Sequence, residues 1–157
     1  MPQKPTACLA LADGTVFHGQ GFGAVGEVVA ELVFNTAMTG YQEIMTDPSY
    51  ASQVVTFTFP HIGNTGVTEQ DDEAPEPVAS GIVVKWDPTE PSNWRASADL
   101  VDWMDQIYSN VKKQRKQNNP NFATIKWRGL SHQVPDFRTL HRRGAALSVR
   151  RSVSLRR

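Results

Sequence analysis

The sequence has 157 residues, with 16 Lys or Arg against 16 Asp or Glu, 39% hydrophobic residues and one cysteine. This length fits a single domain, and no apolar run approaches the roughly 18 residues that span a bilayer. The lone cysteine excludes an internal disulfide and a cysteine-based metal site. We therefore expect a globular, cytoplasmic protein that is not embedded in a membrane.

The net charge of zero conceals a strong division along the chain. Residues 1–109 carry 15 acidic and 3 basic side chains, a balance of −12, whereas residues 110–157 carry 1 acidic and 13 basic side chains, a balance of +12. Such an asymmetry separates the chain into an acidic body and a basic C-terminal segment.

Two strands and a hairpin are predicted at the start of the chain. Thr6 to Ala12 and Thr15 to His18 flank Asp13-Gly14, a pair that favours a tight hairpin turn. Cys8 lies in the apolar part of the first strand, where a thiol usually packs as a small hydrophobic side chain. We expect a core position for Cys8 and no nucleophilic role.

The glycine-rich stretch from Gly21 to Gly26 spells G-x-G-x-x-G. In dinucleotide-binding proteins these glycines open a helix whose N-terminus holds the pyrophosphate. Here a strand pattern follows instead, from Val28 to Phe34. The residues from Gly19 to Gly26 are therefore interpreted as a flexible loop rather than a nucleotide site.

A short helical turn and a proline-stopped loop come next. Tyr41, Ile44 and Met45 are spaced to bury one face of a helical turn, which Pro48 ends. Ser49 follows Asp47-Pro48, so its hydroxyl is either held ready for a ligand or bonded to nearby backbone groups. From local chemistry alone, the second interpretation is favoured.

The middle of the chain predicts two more strands and one helix. Gln53 to Phe59 alternates in side-chain direction, and Ala79 to Trp86 is the second strand. Between them, residues 69–77 are acidic and proline-rich, as in a solvated loop. Ser97 is the predicted N-cap of a helix with its apolar face at Leu100, Val101, Met104, Ile107, Tyr108 and Val111.

Other routes to chemistry find little support in the residue pattern. His18 and His61 lack neighbouring donors at metal-ligand spacing, so no metal site is expected. A carboxylate enzyme using Glu43 and Asp47 lacks a paired base. The basic segment from Lys112 to Arg157 leaves open a nucleic-acid-binding role, although such runs are more often solvated tails.

Five strings taken together resemble one known family. They are LADGTVFHG at residues 11–19, VFNTAMTGYQEI at 33–44, TDPSY at 46–50, FPHIGNTG at 59–66 and SNWR at 92–95. The resemblance is to the N-terminal domain of the small subunit of glutamine-hydrolysing carbamoyl-phosphate synthetase. It covers about residues 5–105, and the run from Phe34 to Tyr50 is its most specific part.

The resemblance implies an α/β fold, a three-layer β/β/α domain of the swivelling type over residues 1–105. In the family this domain binds the large subunit and precedes a glutamine amidotransferase domain. The ligase makes carbamoyl phosphate for arginine and pyrimidine biosynthesis, with ATP and a divalent metal bound by the large subunit. The family serine that helps bind glutamine corresponds to Ser49. The resemblance therefore favours a ligand contact for the Ser49 hydroxyl over a bond to nearby backbone groups.

The sequence also departs from the family. Cys8 does not match the family's nucleophile, and none of His18, His61, His132 and His141 lies in the catalytic histidine context. We therefore expect no catalytic residue, no bound cofactor and no glutaminase activity in this chain, which would hold only the partner-binding domain. Residues 106–157 match poorly, with a faint echo at 136–140. They are interpreted as a divergent segment, arising from a frameshift or fusion or as a true basic extension, that is either disordered or partly completes the domain.

Overall fold

The computed structural model describes residues 5–22, 26–106, 123–126 and 144–149. In this part of the chain one α-helix, one 3-10 helix and seven strands have defined bounds: β1 (Ala7–Leu11), β2 (Val16–Phe22), β3 (Gly26–Asn35), α1 (Tyr41–Thr46), the 3-10 helix (Pro48–Tyr50), β4 (Gln53–Phe57), β5 (Gly81–Val84), β6 (Ala123–Lys126) and β7 (Gly144–Val149). Residues 100–106 are also helical.

The strands form one closed sheet in the order β1-β2-β6-β5-β4-β3-β7, with β7 returning to β1. β3, β4, β5 and β6 run parallel to one another, and the remaining pairs are antiparallel. This mixture of strands and helices confirms the predicted α/β class. The three-layer swivelling arrangement stays a prediction, as do the domain bounds 1–105 and 106–157.

The N-terminal hairpin forms as predicted, but its second strand is longer. The Leu11 N–H donates to the Thr15 carbonyl at 2.8 Å, and Gly14 takes a φ of +88°, which glycine adopts without strain. β2 continues to Phe22, four residues past the predicted end at His18. The loop predicted from Gly19 onward is therefore wrong over its first part, because Gln20, Gly21 and Phe22 pair with β6.

The glycine-rich stretch is divided between two strands. Gly21 is the residue before the last of β2, and Gly26 is the first residue of β3. Residues 23–25 between them lie outside the described residues. A strand rather than a helix follows Gly26, so the context that a dinucleotide site requires is missing.

The position of Cys8 corrects the expectation of a core thiol. Ala7 and Leu9 are buried, whereas Cys8 between them is half-buried. Successive side chains of a strand point to opposite faces, so Ala7 and Leu9 point into the core and Cys8 points to the other face. Cys8 lies opposite His18 on β2 and opposite Ser148 on β7.

Two apolar clusters lie on opposite faces of β4 and β5. Val54 and Val83 belong to a cluster with β1 and β3, whereas Val55, Phe57 and Ile82 belong to a second cluster with α1 and the helical residues near 100. Strands buried on both faces are expected to be continuously apolar, as GIVV in β5 is. The predicted alternation along β4 is thus confirmed.

The predicted helix after Ser97 is present, but its cap is a different residue. The Asp99 carboxylate accepts from the Asp102 N–H at 2.8 Å, the usual N-cap geometry, whereas the Ser97 hydroxyl donates to the Val67 carbonyl at 2.9 Å. Leu100 and Met104 are buried as predicted. Val101, also predicted on this face, is only half-buried, whereas Trp103, which was not predicted, is buried. The predicted face residues from 107 onward lie outside the described residues.

Candidate functional site

The predicted glutamine-contacting serine lies on a short turn fixed by its neighbours. Pro48 begins the 3-10 helix Pro48–Tyr50, where its fixed φ and missing N–H carry little cost. The Asp47 carboxylate accepts from the Ser49 N–H at 2.8 Å, and the Tyr50 N–H donates to the Asp47 carbonyl at 3.0 Å. Ser49 itself is exposed, on a turn whose backbone is held in place.

The carboxylate beside Ser49 is stabilised in its charged form. Hydrogen bonds from the backbone N–H and then the hydroxyl of Ser49 hold the pKa of Asp47 below its ordinary value of 3.8. A carboxylate whose pKa is lowered is a weaker general base than an ordinary one. This electrostatic setting argues against the carboxylate-enzyme alternative that used Glu43 and Asp47.

Tyr50 connects the serine turn to the ends of two strands. The Asn35 side-chain N–H donates to the Tyr50 hydroxyl at 3.1 Å, while its carbonyl oxygen accepts from the Ala37 N–H at 2.8 Å. The Asn35 backbone carbonyl accepts from the Thr58 N–H at 3.0 Å. One asparagine therefore ties the turn to the end of β3 and to the residue after β4.

Tyr41, the first residue of α1, fixes the following loop through its hydroxyl. This hydroxyl accepts from the Thr65 N–H at 3.0 Å and from the Thr65 hydroxyl at 2.8 Å, and it donates to the Gly66 carbonyl at 3.2 Å. Burial, more than any other cause, raises the pKa of Tyr41 above 10.0. The sequence analysis treated this residue as apolar and missed its polar role.

Two further polar residues of α1 are buried, and they hold the acidic loop. The Gln42 amide donates to the Thr68 carbonyl at 2.7 Å and to the Asp72 carboxylate at 2.8 Å, and it accepts from the Thr68 N–H at 2.9 Å. The Thr46 hydroxyl accepts from the Glu73 N–H at 2.9 Å. Gln42 and Thr46 are four residues apart on a mostly buried helical turn, and this spacing of two polar residues could have predicted their polar role.

The loops after β4 and β5 are packed against each other. The Thr89 N–H donates to the Ile62 carbonyl at 2.8 Å, and the Ser92 N–H donates to the Asn64 carbonyl at 2.8 Å. Gly66 lies so close to its neighbours that an added Cβ would come within 2.4 Å of the Ala96 Cβ. The FPHIGNTG and SNWR strings therefore form one packed unit.

The two described histidines, His18 and His61, were considered as candidate metal ligands. His61 is exposed, with its ring edge-on to Phe59 at a centroid distance of 5.8 Å. His18 is on β2, opposite Cys8. Within residues 5–22, 26–106, 123–126 and 144–149, no three His, Cys, Asp or Glu side chains are grouped to hold a metal ion. None of the helices in these ranges is long and apolar enough to cross a membrane.

These features define a mixed α/β domain in which a short helix anchors two loops and a serine-bearing turn. The sequence profile of "Carbamoyl-phosphate synthase small chain, CPSase domain" matches residues 9–112. This match covers most of the chain, so the chain belongs to the family of carbamoyl-phosphate synthase small chains.

Curated relatives agree with the profile match. The chain is 75% identical over 101 residues to the carbamoyl phosphate synthase small chain of Ruegeria pomeroyi, which covers 64% of this chain and 26% of the relative. The small chain of Rhizobium meliloti is 59% identical over 106 residues, covering 65% and 26%. That of Xylella fastidiosa strain Temecula1 is 61% identical over 98 residues, covering 62% and 26%. The chain thus spans about a quarter of the length of these relatives.

Proposed function

We propose that this chain is the partner-binding domain of a carbamoyl-phosphate synthase small subunit, and that it associates with the large subunit of the ligase. The observation that carries the proposal is the 75% identity over 101 residues to a protein of that name. It is supported by the way the matching strings hold one another through Asn35, Tyr41 and the packed loops.

The proposal includes the reaction setting of the complete enzyme. The small subunit is a glutamine amidotransferase that supplies ammonia to a cytoplasmic ligase for arginine and pyrimidine biosynthesis, and ATP and the divalent metal bind to the large subunit. The chain itself hydrolyses no glutamine under this proposal, because its one cysteine, Cys8, is half-buried within β1 and neither it nor the strand residue His18 opposite it matches the family's nucleophile and base. The apolar clusters on both faces of β4 and β5 support the three-layer swivelling architecture for the complete domain.

The purified chain gives a direct test of inactivity. Glutamine hydrolysis is expected to be the same for the natural chain and for Cys8→Ala, at the level of the buffer. Turnover by the natural chain that Cys8→Ala abolishes would contradict this part of the proposal. Binding to the large subunit at micromolar concentration tests the other part, since a specific interface buries at least about 1,000 Å².

Ser49 is proposed to contact glutamine when the domain is joined to its amidotransferase partner. In a full-length small subunit carrying this domain, Ser49→Ala is expected to raise the KM for glutamine roughly tenfold or less, the value of one hydrogen bond to an uncharged group. The fold is expected to be kept, because the hydrogen bond from the Ser49 N–H to the Asp47 carboxylate remains and only the weaker contribution of the hydroxyl is lost.

A matched control is available three residues away. Ser52 is exposed and has a φ of +62°, so Ser52→Gly removes a hydroxyl without backbone strain. This variant is expected to leave the KM unchanged. Equal KM values for Ser49→Ala, Ser52→Gly and the natural protein would refute the glutamine contact.

The nucleic-acid alternative rests on residues 112–157, most of which lie outside the described residues. It stays a prediction, with a steep loss of affinity on adding salt as its signature.

A further inference from the structure

Tyr50 connects the serine turn to the rest of the domain through its side chain. It directly follows Ser49 and ends the 3-10 helix Pro48–Tyr50. Its ring is partly buried against the apolar cluster that includes Phe57. Its hydroxyl accepts from the Asn35 side-chain N–H at 3.1 Å, so the far end of the side chain is also held by a polar contact. A displacement of the turn would therefore cost both packing and a hydrogen bond.

Asn35 is itself fixed at the end of β3. Its backbone is in register with Phe57 of β4, and its carbonyl accepts from the Thr58 N–H at 3.0 Å. Its side-chain oxygen accepts from the Ala37 N–H at 2.8 Å, while its side-chain N–H donates to Tyr50. An amide that is bonded through both its oxygen and its nitrogen keeps one orientation. The sheet therefore holds Asn35, and Asn35 holds Tyr50.

The bonds within the turn do not by themselves place Ser49 relative to the sheet. The Asp47 carboxylate and carbonyl accept from the N–H groups of Ser49 and Tyr50, and these bonds join residues no more than three positions apart. They set the shape of the turn, whereas Asn35 lies 15 positions from Tyr50 and belongs to the sheet. A ligand contact requires the serine hydroxyl at a defined place, since a misplacement of about 1 Å can remove most of the benefit of a positioned group.

We infer that Asn35 is a positioning residue for glutamine binding, which acts through the Tyr50 hydroxyl to hold the Ser49 turn where the serine can contact the substrate. The inference rests on the proposed function, under which Ser49 contacts glutamine in a full-length small subunit. When the Asn35–Tyr50 bond is lost, the turn spends a smaller fraction of time in the position that binds glutamine, and the apparent affinity falls by that fraction. The chemical step is unaffected, because the nucleophile and the base belong to the amidotransferase domain under the same proposal.

The first test uses the chain itself and does not require glutamine. Amide hydrogen exchange is followed at Tyr50 and Ala51, whose N–H groups donate to the Asp47 and Pro48 carbonyls. Tyr50→Phe keeps the ring and removes only the bond from Asn35. It is expected to speed exchange at both amides about two- to tenfold, the effect of one lost hydrogen bond on a local opening.

Thr6→Val is the matched control for this test and the next. The Thr6 hydroxyl accepts from the Gly21 N–H at 2.9 Å and donates to the Gln20 side-chain oxygen at 3.3 Å. The variant therefore loses partly buried hydrogen bonds between the start of the chain and β2, on another part of the sheet. It is expected to change exchange at Tyr50 and Ala51 by less than about twofold. If Tyr50→Phe speeds exchange at these amides no more than Thr6→Val does, the inference is wrong.

The second test measures glutamine-dependent synthesis by the large subunit joined to a full-length small subunit that carries this domain. Asn35→Ala and Tyr50→Phe are each expected to raise the KM for glutamine about two- to fivefold and to leave kcat unchanged, as is Thr6→Val to leave both unchanged. A purely structural role would reduce the amount of active enzyme, and so kcat rather than KM. Asn35→Asp should keep the natural KM, because a carboxylate can accept from the Ala37 N–H and from the Tyr50 hydroxyl. A fall in kcat without a rise in KM would overturn the inference.

Combination with Ser49→Ala shows whether the effect passes through the serine. Once the Ser49 hydroxyl is removed, Tyr50→Phe is expected to raise the KM no further, because residues that act as one unit are not additive. An equal factor with and without Ser49→Ala would show that Tyr50 acts independently of the serine and would overturn the inference. A rise for Ser49→Ala with none for Tyr50→Phe and Asn35→Ala would also overturn it, while the proposed glutamine contact would stand. No rise for Ser49→Ala would remove the contact and the inference together.

Discussion

Removing the hydroxyl of Tyr41 tests whether α1 anchors the loop after β4. In Tyr41→Phe the ring still fills its place in the core, but three hydrogen bonds to Thr65 and Gly66 are lost. The change therefore isolates the polar role of a residue that is 1% exposed.

The size of the effect follows from the groups left without a partner. A hydrogen bond contributes about 1 kcal/mol on average, and a buried group left unsatisfied costs about 1–3 kcal/mol. Tyr41→Phe is therefore expected to lower the free energy of unfolding by about 2–4 kcal/mol. Tyr50→Phe is the matched control, because its hydroxyl accepts one partly buried bond from Asn35 and its loss should cost about 0.5–1.5 kcal/mol.

Urea denaturation of the two variants measures the difference at neutral pH. The pKa of Tyr41 in the folded state is raised above 10.0, chiefly by burial, so its stabilising contribution is complete below pH 10 and is lost as the pH rises through the folded-state pKa. The difference in free energy of unfolding between the natural protein and Tyr41→Phe should therefore become smaller at alkaline pH. A loss for Tyr41→Phe no larger than that for Tyr50→Phe would refute the anchoring role.

Two further predictions concern the glycines and the serine turn. Gly66→Ala should lower the free energy of unfolding by about 2–5 kcal/mol, because it adds a clash with Ala96 to the cost of a φ of +68°. Gly14→Ala is the control: it has a φ of +88° with open space around it and should lose only about 1–2 kcal/mol. Equal losses for the two variants in thermal unfolding would contradict the packing of the two loops. The carboxyl carbon of Asp47 should titrate in NMR with a midpoint below 3.8. The stabilisation that Asp47→Ala removes is therefore present above pH 3.8 and is lost as the pH falls through the folded-state pKa. A midpoint at or above 3.8 would contradict the cap.

Local patterns predicted the elements whose residues interact with near neighbours. The spacing of Tyr41 and Met45 predicted α1, and the alternation of Val54 and Val55 predicted the two faces of β4. Asp47-Pro48 predicted a fixed turn at Ser49. In each case the determining forces act over a few residues, through side-chain periodicity or a restricted φ.

Long-range pairing explains what the sequence left open. β2 extends to Phe22 because β6, a hundred residues later, pairs with it, and β7 lies between β1 and β3. Neither strand has an apolar pattern long enough to predict its partners. The polar roles of Tyr41 and Gln42 were missed for the same reason, since their bonds reach residues 24 to 30 positions away.

The central claim is that this chain binds the large subunit as the small-subunit domain does, and a competition assay tests it most directly. The chain is added in excess to a large subunit reconstituted with a full-length small subunit, and carbamoyl phosphate formation is followed with glutamine or with ammonia as nitrogen donor. We predict that glutamine-dependent synthesis falls as the chain displaces the full-length subunit, while ammonia-dependent synthesis is kept. Unchanged glutamine-dependent synthesis at a saturating excess of the chain would contradict the claim.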